Sequence, residues 1–181
     1  MSCSPHCTHR VAVQLWEHCG DWASRYAATL LADPSLLTRR QMASWVHDIR
    51  DERLCLAVGR LFSRSRYAYA LCSPWCMSCG YVRLTGLAML EHLARLDRDS
   101  CDCMFVPYLS ILRHLLEEDG AEVCDEVARV LVAFASRGPG LAERVRRFCT
   151  DLAPPDGAVS HPVSFRLTAL VGPALEGVGK F

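Results

Sequence analysis

Asp51 and Glu52 stand between Arg50 and Arg53. Carboxylates of this kind can stabilise a developing positive charge, and guanidiniums can hold phosphate. From Arg39 to Arg66 the chain carries seven arginines against Asp48, Asp51 and Glu52, a local positive excess suited to a polyanion. The plainer reading of acidic residues in the first turn of a helix is that they complement its macrodipole. A second group is cysteine-based. Trp75-Cys76-Met77-Ser78-Cys79 contains a CxxC, superficially that of a redox protein, but it ends one helix and leads into another without the strand such chemistry uses. Cys72, Cys76 and Cys79 share a helical face and, with Cys101 or Cys103, offer thiolates for zinc, yet no second CxxC accompanies them. Cys3, His6, Cys7 and His9 make a further cluster at the N-terminus, where adventitious metal binding is the simpler reading. His47, His92 and His114 lack zinc-helix spacing and a visible nucleophile partner. The sequence therefore calls for no metal and no cofactor.

These residues must be positioned by helices. Apolar residues recur at three and four positions almost throughout, and alternating strand patterns are nearly absent. Val11 and Leu15, then Trp22, Tyr26 and Leu30, predict a first helical pair that breaks near Gly20 and ends before Asp33-Pro34. Thr38 with Gln41 fits a capping box, after which Met42, Trp45, Val46 and Ile49 form a buried stripe. Further helices are expected over Arg53 to Ser63, Tyr67 to Ser78, Tyr81 to Leu96, Cys103 to Glu118, Ala121 to Ser136 and Leu141 to Leu152. Their short links make successive helices antiparallel. The expected architecture is all-α, a HEAT-like α-α superhelix (solenoid) of antiparallel helix pairs, with repeats of about 40 residues. A compact bundle is the alternative, because internal self-similarity is weak. Trp16, Trp22, Trp45 and Trp75 read as core anchors. The repeat domain covers residues 1–152, and residues 153–181 form a Pro/Gly-rich C-terminal tail, extended or partly disordered, in which only Phe165 to Val171 resembles a regular element, a short helix that could pack back onto the domain.

Composition bounds the class. At 181 residues, 51% hydrophobic and 22% charged, the chain suits one globular domain with its own core. No apolar run is long enough to span a membrane. The opening MSCSPHCTHR has no secretory pattern, so the expectation is a cytoplasmic protein whose eleven cysteines are mostly reduced core residues. Net charge is zero, but residues 1–100 carry 12 basic and 9 acidic side chains, against 6 and 9 over residues 101–152. The first part is thus the better polyanion face.

Tyr81 to Asp99, YVRLTGLAMLEHLARLDRD, closely resembles a helix of AlkD-like DNA alkylation repair proteins. Leu15-Trp16, Ser24 to Ile49 (SRYAATLLADPSLLTRRQMASWVHDI) and Leu61 to Cys76 (LFSRSRYAYALCSPWC) are similar to that family's preceding landmarks in order and spacing. The resemblance covers roughly Val11 to Leu152. It implies HEAT-like repeats around a concave basic face that binds DNA, and alkylpurine DNA glycosylase chemistry. That chemistry would need an aspartate near the start of the helix after the tryptophan-valine segment, an aromatic just before it, an arginine early in the YVRLTG-like helix and a later tryptophan.

Carried onto this chain, the aspartate falls at Leu56, the aromatic at Glu52 or Arg53, the arginine at Leu84 and the tryptophan at Arg129. Leu cannot stabilise developing positive charge and Arg would repel it. With a one-residue slip in the correspondence, Asp51 or Glu52 could supply a carboxylate in the same turn, as the tentative catalytic group. The same shift puts Arg83 on a phosphate beside Arg50, Arg53 and Arg129 as nucleic-acid contacts.

Two readings follow. One is a DNA alkylation repair-like protein that binds duplex or damaged DNA through a concave helical-repeat face, with weak or absent glycosylase activity. The other is a non-catalytic HEAT-repeat scaffold that binds a protein partner. Either would be a monomer with no membrane contact.

Overall fold

The computed structural model describes residues 5–152 and 162–177. Within them every regular element is helical, and no helix is long and apolar enough to cross a membrane. The chain divides into two compact units, Met1–Leu90 and Glu91–Phe181, with the division falling inside one helix.

The first unit begins with α1 (Pro5–His18) and α2 (Trp22–Leu31). The Asp21 carboxylate accepts from the Ser24 amide at 2.9 Å and caps α2. α2 stops at Ala32, whose extended backbone (ψ 134°) leads into Asp33-Pro34. α3 (Arg39–Asp48) starts at Thr38 with both halves of the capping box in place: the Gln41 amide donates to Thr38 Oγ1 at 3.2 Å and the Thr38 amide to Gln41 Oε1 at 2.9 Å. Met42, Trp45, Val46 and Ile49 are all buried, as their spacing requires. α4 (Glu52–Phe62), α5 (Ala68–Cys76) and α6 (Gly80–Leu96) follow. α1 packs on α2, α3 on α4, and α2 on α4.

An aromatic chain forms the centre of this unit. Trp16 and Trp45 stack at 4.3 Å and 5°, Phe62 lies 6.2 Å from Trp45, and Trp75 lies 5.9 Å from Phe62. α6 approaches α4 and α5 so closely that two positions admit no side chain. A Cβ on Gly59 would meet Ala88 Cβ at 2.6 Å, and one on Gly86 would meet the Cys76 backbone nitrogen at 2.6 Å. Gly86 closes the YVRLTG stretch, so packing requires that landmark.

The first helical pair departs from the expected stripe. Ala12, Trp16, Ala28 and Ala32 face inward, whereas Val11, Trp22, Tyr26 and Leu30 are exposed. Trp22 is therefore not a core anchor. α2 packs through its small residues, which lets the helices approach and turns its large side chains outward.

The second unit continues from the end of α6 through a short 3-10 helix (Asp102–Met104), α7 (Val106–Ala135), α8 (Pro139–Asp151) and α9 (Pro162–Gly177). The two helices expected over residues 103–136 meet without a loop: Gly120, at φ 13° and ψ −86°, kinks α7 where the sequence places the break. α7 packs on both α8 and α9, and Phe105 and Phe134 meet edge-on at 5.5 Å. The strap 97–104 is gripped by Arg137, whose side chain is only 3% exposed. Arg137 pairs with Asp102 at 2.8 Å and donates to the carbonyls of Ala94 (3.0 Å), Asp97 and Ser100 (2.8 Å). Its guanidinium lies 4.2 Å from the Phe105 ring centroid.

Residues 153–161 and 178–181 of the expected tail lie outside the described residues. The part that is described, α9, is a 16-residue helix that contains the element expected over 165–171, extends beyond it on both sides, and packs back on α7. Leu167 and Val171 are buried, and Arg166 pairs with Asp125 of α7 at 2.6 Å. Burial of this apolar face supports the helix despite Pro173 within it.

Candidate nucleic-acid interface

The turn from α3 to α4 sets out the charged residues. Arg50 folds back and donates to the carbonyls of His47 (2.6 Å) and Ile49 (2.7 Å), covering the open end of α3. Asp51 is the N-cap of α4, and its Oδ1 accepts from the amides of Arg53 (2.9 Å) and Leu54 (3.3 Å). The Arg53 guanidinium completes the group at 3.4 Å. Desolvation by itself would raise the Asp51 carboxyl pKa, but the bonds from Arg53 and the two amides outweigh it and hold the group below its ordinary value. Asp51 is thus an ionised cap whose Oδ1 is engaged by two amides and a guanidinium, so that its nearest charged neighbour is a cation. That environment disfavours both proton transfer and stabilisation of a second positive charge. Glu52 is exposed in the first turn of the helix.

The outer face of α4 carries Glu52, Arg53 and the exposed Leu56, and here α2 contributes what the sequence reading assigned to the core. Trp22 and Tyr26, one turn apart, stack at 5.1 Å with their planes 9° apart. Both are exposed, at 41% and 38%. The Arg53 guanidinium lies 5.1 Å from the Trp22 ring centroid. Asp51 holds Arg53, and Arg53 covers Trp22, so one cap organises a row of cation and two aromatic rings on the surface. Leu30, a further turn along α2, is 69% exposed and extends the row with an apolar edge.

Behind the row, Asp48 fastens three helices. Its carboxylate accepts from Trp16 Nε1 at 3.1 Å and its carbonyl from Arg25 at 2.6 Å, while the Arg25 guanidinium lies 5.4 Å from the Trp16 ring centroid. Beside it, Cys55 Sγ lies 3.6 Å from the Tyr81 carbonyl, which sets the first turn of α6 against the first turn of α4. Burial pushes the Cys55 thiol up to about 11, which makes it a packing residue and not a nucleophile.

Of the residues singled out by sequence, Asp51 and Arg53 come together. Arg50 is committed to the end of α3, and Arg83 donates to the Ser78 carbonyl at 2.7 Å, holding the α5–α6 turn. Arg129 belongs to the second unit, where it pairs with Glu126 (3.2 Å) and Glu91 (3.6 Å). Leu84 is half-buried. The thiols do not assemble a metal site: no group of three or more His, Cys, Asp or Glu gathers among the described residues, and Cys3 lies outside them. Cys72 and Cys76 are buried, with Cys79 exposed. Contact with Cys72, followed by burial, raises the Cys76 thiol well above its usual range, opposite to the activated thiol of a redox CxxC. The exposed Trp22–Tyr26 pair escaped the sequence reading; the signal available for it was the run of small residues, Ala28 and Ala32, on the neighbouring face of α2. Compared with known proteins, the chain matches no family model, no curated protein and no solved structure.

Proposed function

We propose that this chain is a DNA-binding helical-repeat protein, related in design to the AlkD-like alkylation repair proteins it resembles, that engages duplex or damaged DNA with weak or absent alkylpurine glycosylase activity. The observation that carries the reading is the exposed Trp22–Tyr26 stack with Arg53 over its outer ring. Once Arg53 turns from Trp22 onto a phosphate, the ring it covered takes an unstacked base or a sugar at about 1–3 kcal/mol per base. In this account the aromatic surface comes from α2, and Leu56 occupies the place where the resemblance calls for a carboxylate. Binding is thereby kept while the group that would stabilise a leaving purine is lost. The helix pairs α1–α2 and α3–α4 are the first repeats of a HEAT-like superhelix in this proposal, and the arginine-rich stretch from Arg39 to Arg66 lies along its DNA face.

Leu30 and Leu56, both exposed apolar residues, support a second reading, in which the same face docks a protein partner. A salt titration of binding to methylated duplex DNA separates the two. Contact with about two to three phosphates gives a log–log slope of about −2 to −3. Absence of duplex binding at low salt would favour the protein-partner reading.

A further inference from the structure

We infer that Cys101 and Cys103 form a thiol–disulfide exchange site that reacts with low-molecular-weight disulfides. Both side chains are exposed. They flank Asp102 in the short 3-10 helix, where Cys101 is the N-cap and its Sγ accepts from the Cys103 amide at 3.2 Å. Asp102 between them is fixed by its 2.8 Å pair with Arg137, so the strap presents both thiols from a held backbone. The two side chains are in hydrogen-bond contact with one another, which is the approach a disulfide between them needs.

The thiols also differ from one another in the sense exchange needs. The Cys103 side chain and amide favour thiolate at Cys101 and outweigh desolvation and the Asp102 charge, which oppose it, with a smaller contribution from Arg137, whereas Cys103 is held protonated by its contact with Cys101. The other thiols in contact, Cys72 and Cys76, are buried, and burial pushes Cys149 up to about 11. In the exchange, Cys101 thiolate attacks one sulfur of the small disulfide, forming a mixed disulfide and expelling one thiolate. Cys103 then loses its proton to solvent and attacks Cys101 Sγ, expelling the second thiolate. Two electrons pass from the protein thiols to the small disulfide, which leaves as two thiols. This site lies apart from the α2–α4 face in sequence and chemistry, and it stands whether or not the chain binds DNA.

The test uses the full chain and oxidised glutathione, followed by acid quench, alkylation under denaturant and tryptic mass spectrometry. Cleavage after Arg98 and Arg113 isolates Cys101 and Cys103 in one peptide without other cysteines. The wild-type peptide is expected to lose two hydrogens and resist alkylation, and to react about tenfold faster than the exposed Cys79. Cys103→Ser should stop at a glutathione adduct on Cys101, and Cys101→Ser should abolish the fast reaction. A peptide that remains doubly alkylated after equilibration, or one that reacts no faster than Cys79, would overturn the site. Both substitutions sit at exposed positions, and circular dichroism of each variant checks that the fold is retained.

Discussion

Asp51 caps α4 and at the same time anchors Arg53, so its charge has structural work that a catalytic carboxylate would have to abandon. Asp51→Asn/Glu52→Gln is therefore expected to leave alkylated-purine release from methylated duplex DNA at the wild-type level, itself near the uncatalysed rate. Release by the wild type that disappears in the double variant would return these carboxylates to a catalytic role. Because the folded Asp51 pKa is lowered, the unfolded chain binds the proton more readily. The stabilising contribution is thus full above the ordinary carboxylate pKa of about 3.9 and fades as pH falls through the lower folded value. Asn keeps the cap but lacks the charge, so the melting temperatures of wild type and Asp51→Asn should differ near pH 6 and converge on acidification; a gap that widens in acid would contradict the assignment. The tryptophans separate just as sharply. Trp45→Ala should cost about 3–5 kcal/mol because it opens a cavity beneath Trp16, whereas Trp22→Ala should cost less than about 1 kcal/mol.

At the scale of elements, close backbone approach and a single buried cation set the geometry. Gly86→Ala would drive a methyl group into the α5 backbone. It should destabilise the protein by about 1–3 kcal/mol, read by denaturant unfolding. Arg137→Met should cost about 2–4 kcal/mol, since two strap carbonyls, the Ala94 carbonyl at the end of α6 and Asp102 lose their shared donor. Thr38 and Gln41 made α3 legible in the sequence because a capping box is a local device written in spacing, and the four apolar residues behind it are all buried. Gly120 was legible as a break, although not as a kink within one long helix. Trp22, Tyr26 and Leu30 share the same helical spacing yet face outward, because periodicity identifies a stripe without saying whether its large or its small neighbours meet the core. α9 was legible over Phe165 to Val171 but not in its full length, since Gly172, Pro173 and Gly177 depress local propensity and the burial that compensates for them lies on α7, far away in the sequence.

For the molecule as a whole, the charged part of the candidate face could be read from arginine clustering, but the aromatic part could not. Arg53 and Trp22 belong to different helices, and only packing of α2 on α4 joins them. The uneven charge, with ten basic against six acidic residues over residues 1–90, is what a polyanion partner on the first unit would call for, and salt-dependent affinity is its expected signature. The decisive measurement is the equilibrium affinity of wild type, Trp22→Ala and Arg53→Ala for methylated duplex DNA by fluorescence anisotropy at several salt concentrations. The account predicts weakening of about fivefold or more for Trp22→Ala at every salt concentration, and for Arg53→Ala a weakening together with a salt slope shallower by about one. Wild-type affinity and slope in both variants, with their folds intact, would contradict it.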